Sequence, residues 1–186
     1  ISIATPFETD RMTFSLDAWL FKGQVLGEEY NEAKIQATAK EGVIQITEFN
    51  LQKEKSNFQM KGQLDTQLNT TLHFDIVNGH LQHSTLLRKY ELPIAGQFVA
   101  TGKITGKLNQ PGIKTKARVE SLTFNKKNYG PAIFSFNNTE KQTSLQFNLP
   151  DQLDLLVLLP EKGDKSFFID LEAKKMDIAP LVGFLV

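Results

Sequence analysis

The stretch IAGQFVATGKITGKLNQPGIKTKARVESLTF, residues Ile94–Phe124, decides the fold of this 186-residue chain. In its first half the even positions are apolar or glycine, whereas the odd positions are mostly Gln, Thr and Lys. Because successive side chains of a β-strand point to opposite faces, this alternation predicts a long strand with one apolar face. After the turn Gln110–Gly112, the apolar parity shifts between Val119 and Leu122, which predicts a β-bulge near Ser121.

The same alternation runs through most of the chain and predicts antiparallel strands joined by polar turns. Glu41-Gly42 is such a turn, and its glycine favours a short hairpin. Two segments instead have apolar residues at helix-like spacing, and they predict short helices at Leu81–Lys89 and Pro180–Leu185. The sequence therefore predicts an all-β fold with one or two short helices. Its apolar face either closes on itself as a core or stays open as a binding surface.

An internal similarity links the two halves of the chain. Residues Glu29–Ile46 align with Asn128–Phe147, about 100 residues further on, which is typical of a repeated structural unit. The alignment predicts a first β-unit at residues 1–92, incomplete at its start, and a second at 93–186. Together they would form one continuous β segment of a longer protein. Chance similarity between β sequences is the alternative explanation.

Composition excludes several classes of function. Lys plus Arg and Asp plus Glu each number 21, so the net charge is zero and the basic surface of a nucleic-acid-binding protein is not expected. There are no cysteines, which excludes disulfides and thiolate metal sites. No apolar run approaches the roughly 20 residues that span a bilayer. Since the chain starts without Met and stops within an apolar pattern, we expect any signal sequence or membrane anchor to lie outside it.

Catalytic residues are not expected. His80 and His83 have a spacing that could place two metal ligands on one helical face, but a third ligand is not obvious nearby. Asp151 and Asp154 could form a carboxylate pair, although a polar turn before a strand explains them more simply. We therefore expect a protein that is not an enzyme and has no catalytic residue, metal or cofactor.

Gly96, Gly102 and Gly106 lie on the apolar face of the strand predicted within Ile94–Leu108. They require a reason, because glycine weakens a strand. They either let aromatic residues pack on the sheet or leave room for a slender apolar ligand. The run Gly96–Phe136 also resembles the repeating pattern of the TamB and AsmA-like envelope proteins: a Gly-x-Ile-x-Gly-x-Leu strand, a Pro-x-Ile turn, a strand ending in an apolar pair, and then a Tyr. The residues that carry the resemblance are Gly102, Ile104, Gly106, Leu108, Pro111, Ile113, Leu122, Phe124 and Tyr129. The run Tyr30–Asp65 is similar to the hairpin that follows in this family, with Gly62 before its closing strand.

The resemblance implies a long, curled antiparallel sheet that forms an apolar-lined trough. It implies a protein anchored in the inner membrane by a segment outside this chain, reaching across the periplasm of a Gram-negative-type cell. Its partners would be phospholipid acyl chains and, as in the translocation and assembly module, an outer-membrane β-barrel protein. Its role would be lipid transport and outer-membrane biogenesis. The alternative is a closed β-sandwich that serves as an adhesion, carbohydrate-binding or protein-binding module.

The apolar strand positions are the predicted groove-lining residues, and they would hold lipid in the trough. They are Phe14, Leu16, Ile35, Ile44, Ile46, Met60, Leu64, Leu72, Phe74, Ile76, Ile94, Phe98, Gly102, Ile104, Gly106, Leu108, Val119, Phe134, Phe136, Leu145, Phe147, Ile169 and Leu171.

Overall fold

A computed structural model describes residues 13–25, 27–139, 142–160 and 167–175, and these residues form one curled, open antiparallel sheet. The predicted all-β fold is thus confirmed, and the described chain is a single sheet rather than the two stacked sheets of a sandwich. The strands are β1 (Phe14–Val25), β2 (Glu28–Lys40), β3 (Val43–Lys53), β4 (Ser56–Asp65), β5 (Asn69–His80), β6 (Ile94–Ala95), β7 (Gln97–Lys107), β8 (Gly112–Phe124), β9 (Lys127–Asn138), β10 (Gln142–Leu149), β11 (Leu153–Pro160) and β12 (Phe168–Ala173).

Sheet order follows chain order, so each strand pairs with its neighbours along the sequence. The short strand β6 is the exception, because it lies off this path and pairs with β8. β1 and β12 are the two edges of the described sheet. The proposed division into two β-units, residues 1–92 and 93–186, stays a prediction.

Tight turns join several of the strands. Glu41 and Gly42 both have positive φ, at 51° and 76°, and so do Asn125 and Lys126, at 47° and 66°. Two successive positive φ values match the right-handed twist of a β-hairpin. The hairpin predicted at Glu41-Gly42 is therefore confirmed.

Bulges interrupt the ladder in the middle of the sheet. The register between β8 and β9 shifts between Val119 and Leu122, which confirms the bulge predicted near Ser121. Similar shifts occur in β3 between Ile46 and Phe49, and in β5 between Ile76 and Gly79. Since a bulge bends a strand and increases its local twist, these irregularities help the sheet to curl.

The segment between β5 and β7, residues 81–96, replaces a tight turn, and we call it the strap. It contains a 3-10 turn at Leu81–His83, helix α1 at Thr85–Lys89 and strand β6. The helix predicted at Leu81–Lys89 is thus present in two short pieces, whereas the one predicted at Pro180–Leu185 lies outside the described residues. Within the described part of the chain, no helix has the length and apolar character needed to cross a membrane.

A cluster of buried residues lies near the strap. It consists of Val119, Tyr129, Ala132 and Leu149. Leu81 of the strap packs against this cluster. The strap therefore belongs to the packed core and is not a loose surface loop.

Candidate functional site

The strand registers align apolar side chains into rows that cross the whole sheet. Residues paired by Cα register share a face, so the pairings can be followed from one edge strand to the other. One row is apolar at every position from β1 to β12: Leu20, Ala33, Leu51, Phe58, Ile76, Ala100, Ala117, Phe134, Phe147, Leu155 and Leu171. We call the face that carries this row the trough face.

A second row on the trough face lies beside the first. It is formed by Ala18, Ile35, Phe49, Met60, Phe74, Gly102, Thr115, Phe136, Leu145, Val157 and Ile169. Thr115 is its one polar member. Since neighbouring strands lie about 4.8 Å apart, ten strand intervals give each row a length of about 48 Å. The trough face is therefore a continuous apolar surface rather than a set of separate patches.

Most of the predicted groove-lining residues meet on this face. The registers place all of them there except Ile94 and Leu108. Ile94 belongs to the short strand β6, which Gly96 separates from β7, so the alternation of β7 does not extend to it. Leu108 lies in the turn after β7, and 49% of its surface is exposed. The assumption that alternation runs unbroken from Ile94 to Leu108 was therefore wrong at both ends, because Gly96 and the turn interrupt the strand.

Several trough residues were missing from the predicted set. The apolar ones are Ala18, Leu20, Ala33, Phe49, Leu51, Phe58, Ala100, Ala117, Leu155 and Val157, and all belong to the two rows above. Period-two parity with predicted neighbours was the available signal, except for Phe49 and Leu51, whose parity relative to Ile46 is reversed by a bulge. Phe58 also stacks on Phe74, with ring centroids 5.6 Å apart.

Exposure varies along the trough. In the middle strands Leu72 is 7% exposed and Phe74 9%, whereas Leu16 on β1 is 43% exposed and Leu171 on β12 is 60%. The middle of the curled sheet is thus well covered, while the apolar surface near both edge strands is open to solvent. The apolar surface of the trough face is therefore most accessible near β1 and β12 and least accessible in the middle strands.

Two glycines accommodate aromatic rings on neighbouring strands. A β-carbon at Gly102 would collide with the ring of Phe74, its partner on β5. Likewise, a β-carbon at Gly79 would lie 2.5 Å from ring atoms of Phe98 on β7. The glycines therefore let these rings lie flat on the sheet, which is the packing role considered for them above.

An apolar cavity of about 200 Å³ lies where β1 to β5 meet the turns opposite the strap. Its lining includes Phe14, Ile44, Leu64 and Leu68. Leu68 is half-exposed and has a φ of 62°, a left-handed conformation that is costly for leucine. Leu68 lies in the turn that precedes β5.

Polar contacts hold the strap over the other end of the trough. The Glu28 carboxylate accepts hydrogen bonds from Lys53 Nζ at 2.7 Å, from Ser84 Oγ at 2.7 Å and from the Thr85 backbone N–H at 2.9 Å. Lys53 Nζ also donates to Thr85 Oγ1 at 2.8 Å. Since Leu81 packs on the cluster of β8 to β10, the strap connects both sides of the curled sheet.

The face opposite the trough, the outer face, is mainly polar. The row between the two apolar rows includes Lys34, Asn50, Gln59, Asp75 and Thr101. A hydrogen bond to Glu48, with Nζ to Oε2 at 2.7 Å, raises the pKa of Lys34. The two faces thus differ in polarity in the middle strands, as the alternation predicted, whereas the outer row is apolar at Trp19 on β1 and at Leu156 on β11.

The structure shows where the histidine pair and the aspartate pair lie. The rings of His80 and His83 lie 5.2 Å apart, and His83 Nδ1 contacts Glu54 Oε2 at 2.6 Å. No group of three or more potential metal ligands occurs among the described residues. Asp151 lies in the turn between β10 and β11, and Asp154 accepts a hydrogen bond from the Asn148 side chain.

Comparison of the chain with protein-family models, with curated proteins and with solved structures found no match.

Proposed function

We propose that the trough face binds lipid acyl chains and shields them from water, as one segment of a longer lipid-transport protein. The observation that carries this proposal is the unbroken apolar row from Leu20 to Leu171, which crosses eleven paired strands. Each CH₂ group removed from water contributes about 0.8 kcal/mol, so a continuous row gives an alkyl chain similar binding energy at every point along it.

The form of the surface suits movement rather than tight binding at one place. The rows consist of Ala, Leu, Ile, Val, Phe, Met and Gly with a single Thr, so charged groups do not interrupt them. The glycine–aromatic pairs keep the rings of Phe74 and Phe98 low on the sheet. A lipid tail would then meet neither a deep pocket nor a polar barrier along the trough.

As part of the same proposal, and on the basis of the resemblance to TamB and AsmA-like proteins, we assign this activity to the bacterial envelope. In that setting the protein would be anchored in the inner membrane and cross the periplasm, and an outer-membrane β-barrel would be its partner. Its contribution would be phospholipid transport and outer-membrane biogenesis. The chain would take no part in covalent chemistry.

The test compares two neighbouring substitutions on β7. Ile104 lies on the trough face and is half-buried, whereas Lys103 is exposed on the outer face. We expect Ile104→Arg to fold with a lowered melting temperature, because arginine can extend its charge towards the trough mouth. It should lose binding of a fluorescent fatty acid, while Lys103→Glu should retain it. If Ile104→Arg folds and still binds the probe with unchanged affinity, the trough face does not bind the acyl chain.

A further inference from the structure

A second concavity lies on the outer face of the sheet, on the side away from the trough. Its volume is about 540 Å³, and strands β5 and β7 to β10 contribute to its lining. A twisted sheet is saddle-shaped, so each of its faces is concave along one diagonal. We call this concavity the outer groove. Its volume falls within the range of about 300–1,000 Å³ that is usual for small-molecule sites.

Three lysines line the outer groove, and their positions in the register are unfavourable for folding. Lys103 and Lys114 are direct cross-strand partners, and Lys116 lies two residues further along β8 on the same face. Like charges directly opposite each other destabilise a sheet. An uncompensated cluster of this kind therefore requires an explanation other than stability.

Among the residues that the structure describes, none of the three lysines makes an ion pair or hydrogen bond with a carboxylate. The nearest acidic residue in the register is Asp75, which lies opposite Thr101 and is therefore a diagonal neighbour of Lys103 on the adjacent strand. The other groove residues include the neutral hydrogen-bonding side chains of Ser135, Asn137 and Ser144, together with His73 beside Lys103 and with Gly102 and Phe136.

We propose that the outer groove binds a phosphate-bearing anion. Ammonium groups on flexible stems act as point charges for phosphate oxygens, and three of them here converge on one concavity. Hydroxyl and amide side chains along the same wall supply further hydrogen bonds to the ligand. Cross-strand neighbours lie about 5 Å apart and residues i and i+2 about 7 Å apart, so the site suits two adjacent phosphate groups.

The outer groove and the trough lie on opposite faces of the same sheet. The lysines can be changed without altering any side chain of the trough face. This inference is independent of the proposed function, because a protein that binds no lipid could still bind an anion in the groove. Binding of the fluorescent fatty acid, measured in the same variants, reports separately on the trough.

The experiment titrates the 186-residue chain with inorganic pyrophosphate by isothermal calorimetry at low ionic strength. The groove variant carries Lys103→Gln, Lys114→Gln and Lys116→Gln, and we expect its affinity to fall at least about tenfold, since hydrogen bonds to charged groups dominate such sites. The control variant carries Lys22→Gln, Lys40→Gln and Lys55→Gln, the same change of charge at exposed positions outside the groove. It should bind pyrophosphate within about twofold of the parent protein. Equal loss in both variants, or no binding by the parent, overturns the proposal.

Vesicles identify the source of the phosphate. Flotation with phosphatidylglycerol vesicles, against phosphatidylcholine vesicles as control, tests a lipid headgroup. If phosphatidylglycerol binding needs the three lysines and pyrophosphate competes with it, the phosphate belongs to a lipid. If pyrophosphate binds but the vesicles do not, the ligand is a soluble phosphate. Vesicle binding that pyrophosphate does not displace contradicts a discrete site.

Lys114→Gln alone should also raise the melting temperature, because it removes the like charge opposite Lys103. A fall in the melting temperature would contradict the repulsion between these two lysines.

Discussion

The ring of Phe74 on β5 lies over the backbone of Gly102 on β7, in the space that a β-carbon at Gly102 would fill. The backbone carbonyl of Lys114 lies 2.8 Å from the same position, on the other side. Glycine is thus required where the second apolar row crosses the middle of the sheet. Through this contact, a glycine on the apolar face of a strand determines the shape of the trough floor.

Replacing Gly102 should destabilise the sheet. In Gly102→Ala the methyl group must displace the Phe74 ring and also meets the Lys114 carbonyl, which cannot rotate away, so we expect a loss of about 1–3 kcal/mol. Urea unfolding measures this loss of folding free energy. Gly112→Ala is the matched control, because a β-carbon there has nearest contacts of 3.4 Å and should cost less than about 0.5 kcal/mol. Equal stability of the two variants would show that the ring does not need the glycine.

The strap should open when its polar contacts are removed. Lys53 Nζ donates to both Glu28 and Thr85, and its side chain is only 13% exposed. Lys53→Met keeps the aliphatic part of the side chain but removes both bonds, at a cost of about 1–2 kcal/mol. Hydrogen exchange should then accelerate at the amides of residues 84–89 more than in β8. Lys40→Met removes an exposed ion pair with Glu41 and should leave exchange in the strap unchanged. Unchanged exchange in Lys53→Met would mean that apolar packing alone holds the strap.

The turn between β4 and β5 should make stability depend on pH. The Asp65 carboxylate accepts hydrogen bonds from the Asn69 side chain at 2.9 Å and from two backbone amides, and these bonds lower the pKa of Asp65. Because the pKa is lower in the folded state, the resulting stabilisation is present above the unfolded value of 3.8 and is lost as the pH falls through the folded value.

Thermal unfolding from pH 7 to pH 2 tests this dependence. The melting temperature of Asp65→Asn should lie below that of the parent at pH 7, and the two should converge only as the pH falls below the unfolded value of 3.8 and through the folded value. Asp170→Asn on β12 is the control, since among the described residues the Asp170 carboxylate accepts no hydrogen bond from a side chain or a backbone amide. A difference between parent and Asp65→Asn that stays constant with pH would contradict the linkage to the Asp65 carboxylate.

Much of the fold follows from period-two alternation, because parity along a strand determines which side chains share a face. The bulge near Ser121 was predictable for the same reason, since the parity of the apolar residues changes there. Ile94 and Leu108 were misplaced because alternation alone does not reveal where a strand begins and ends. The face on which a residue near a strand end lies depends on the adjoining turn, and here Gly96 separates β6 from β7.

The contacts between distant strands could not be read from the sequence. The two trough rows depend on ten separate registers, each of which is set by turn lengths and bulges. The strap contacts join Glu28 to Ser84 and Thr85, more than 50 residues further along the chain. The lysines of the outer groove alternate with apolar residues and looked like an ordinary solvated face, because only the pairing of β7 with β8 brings Lys103 opposite Lys114.

Lipid crosslinking in living cells tests the central claim most directly. A photoreactive amino acid is placed, one position at a time, at Ile104 and Leu145 on the trough face and at Val99 and Asn148 on the outer face of the same strands, outside the outer groove. We expect phospholipid to be crosslinked at Ile104 and Leu145 but not at Val99 and Asn148, so that capture alternates with the pleat of the strand. Equal capture on both faces, or none at Ile104 and Leu145 in a protein that folds and is expressed normally, would contradict an acyl-chain trough.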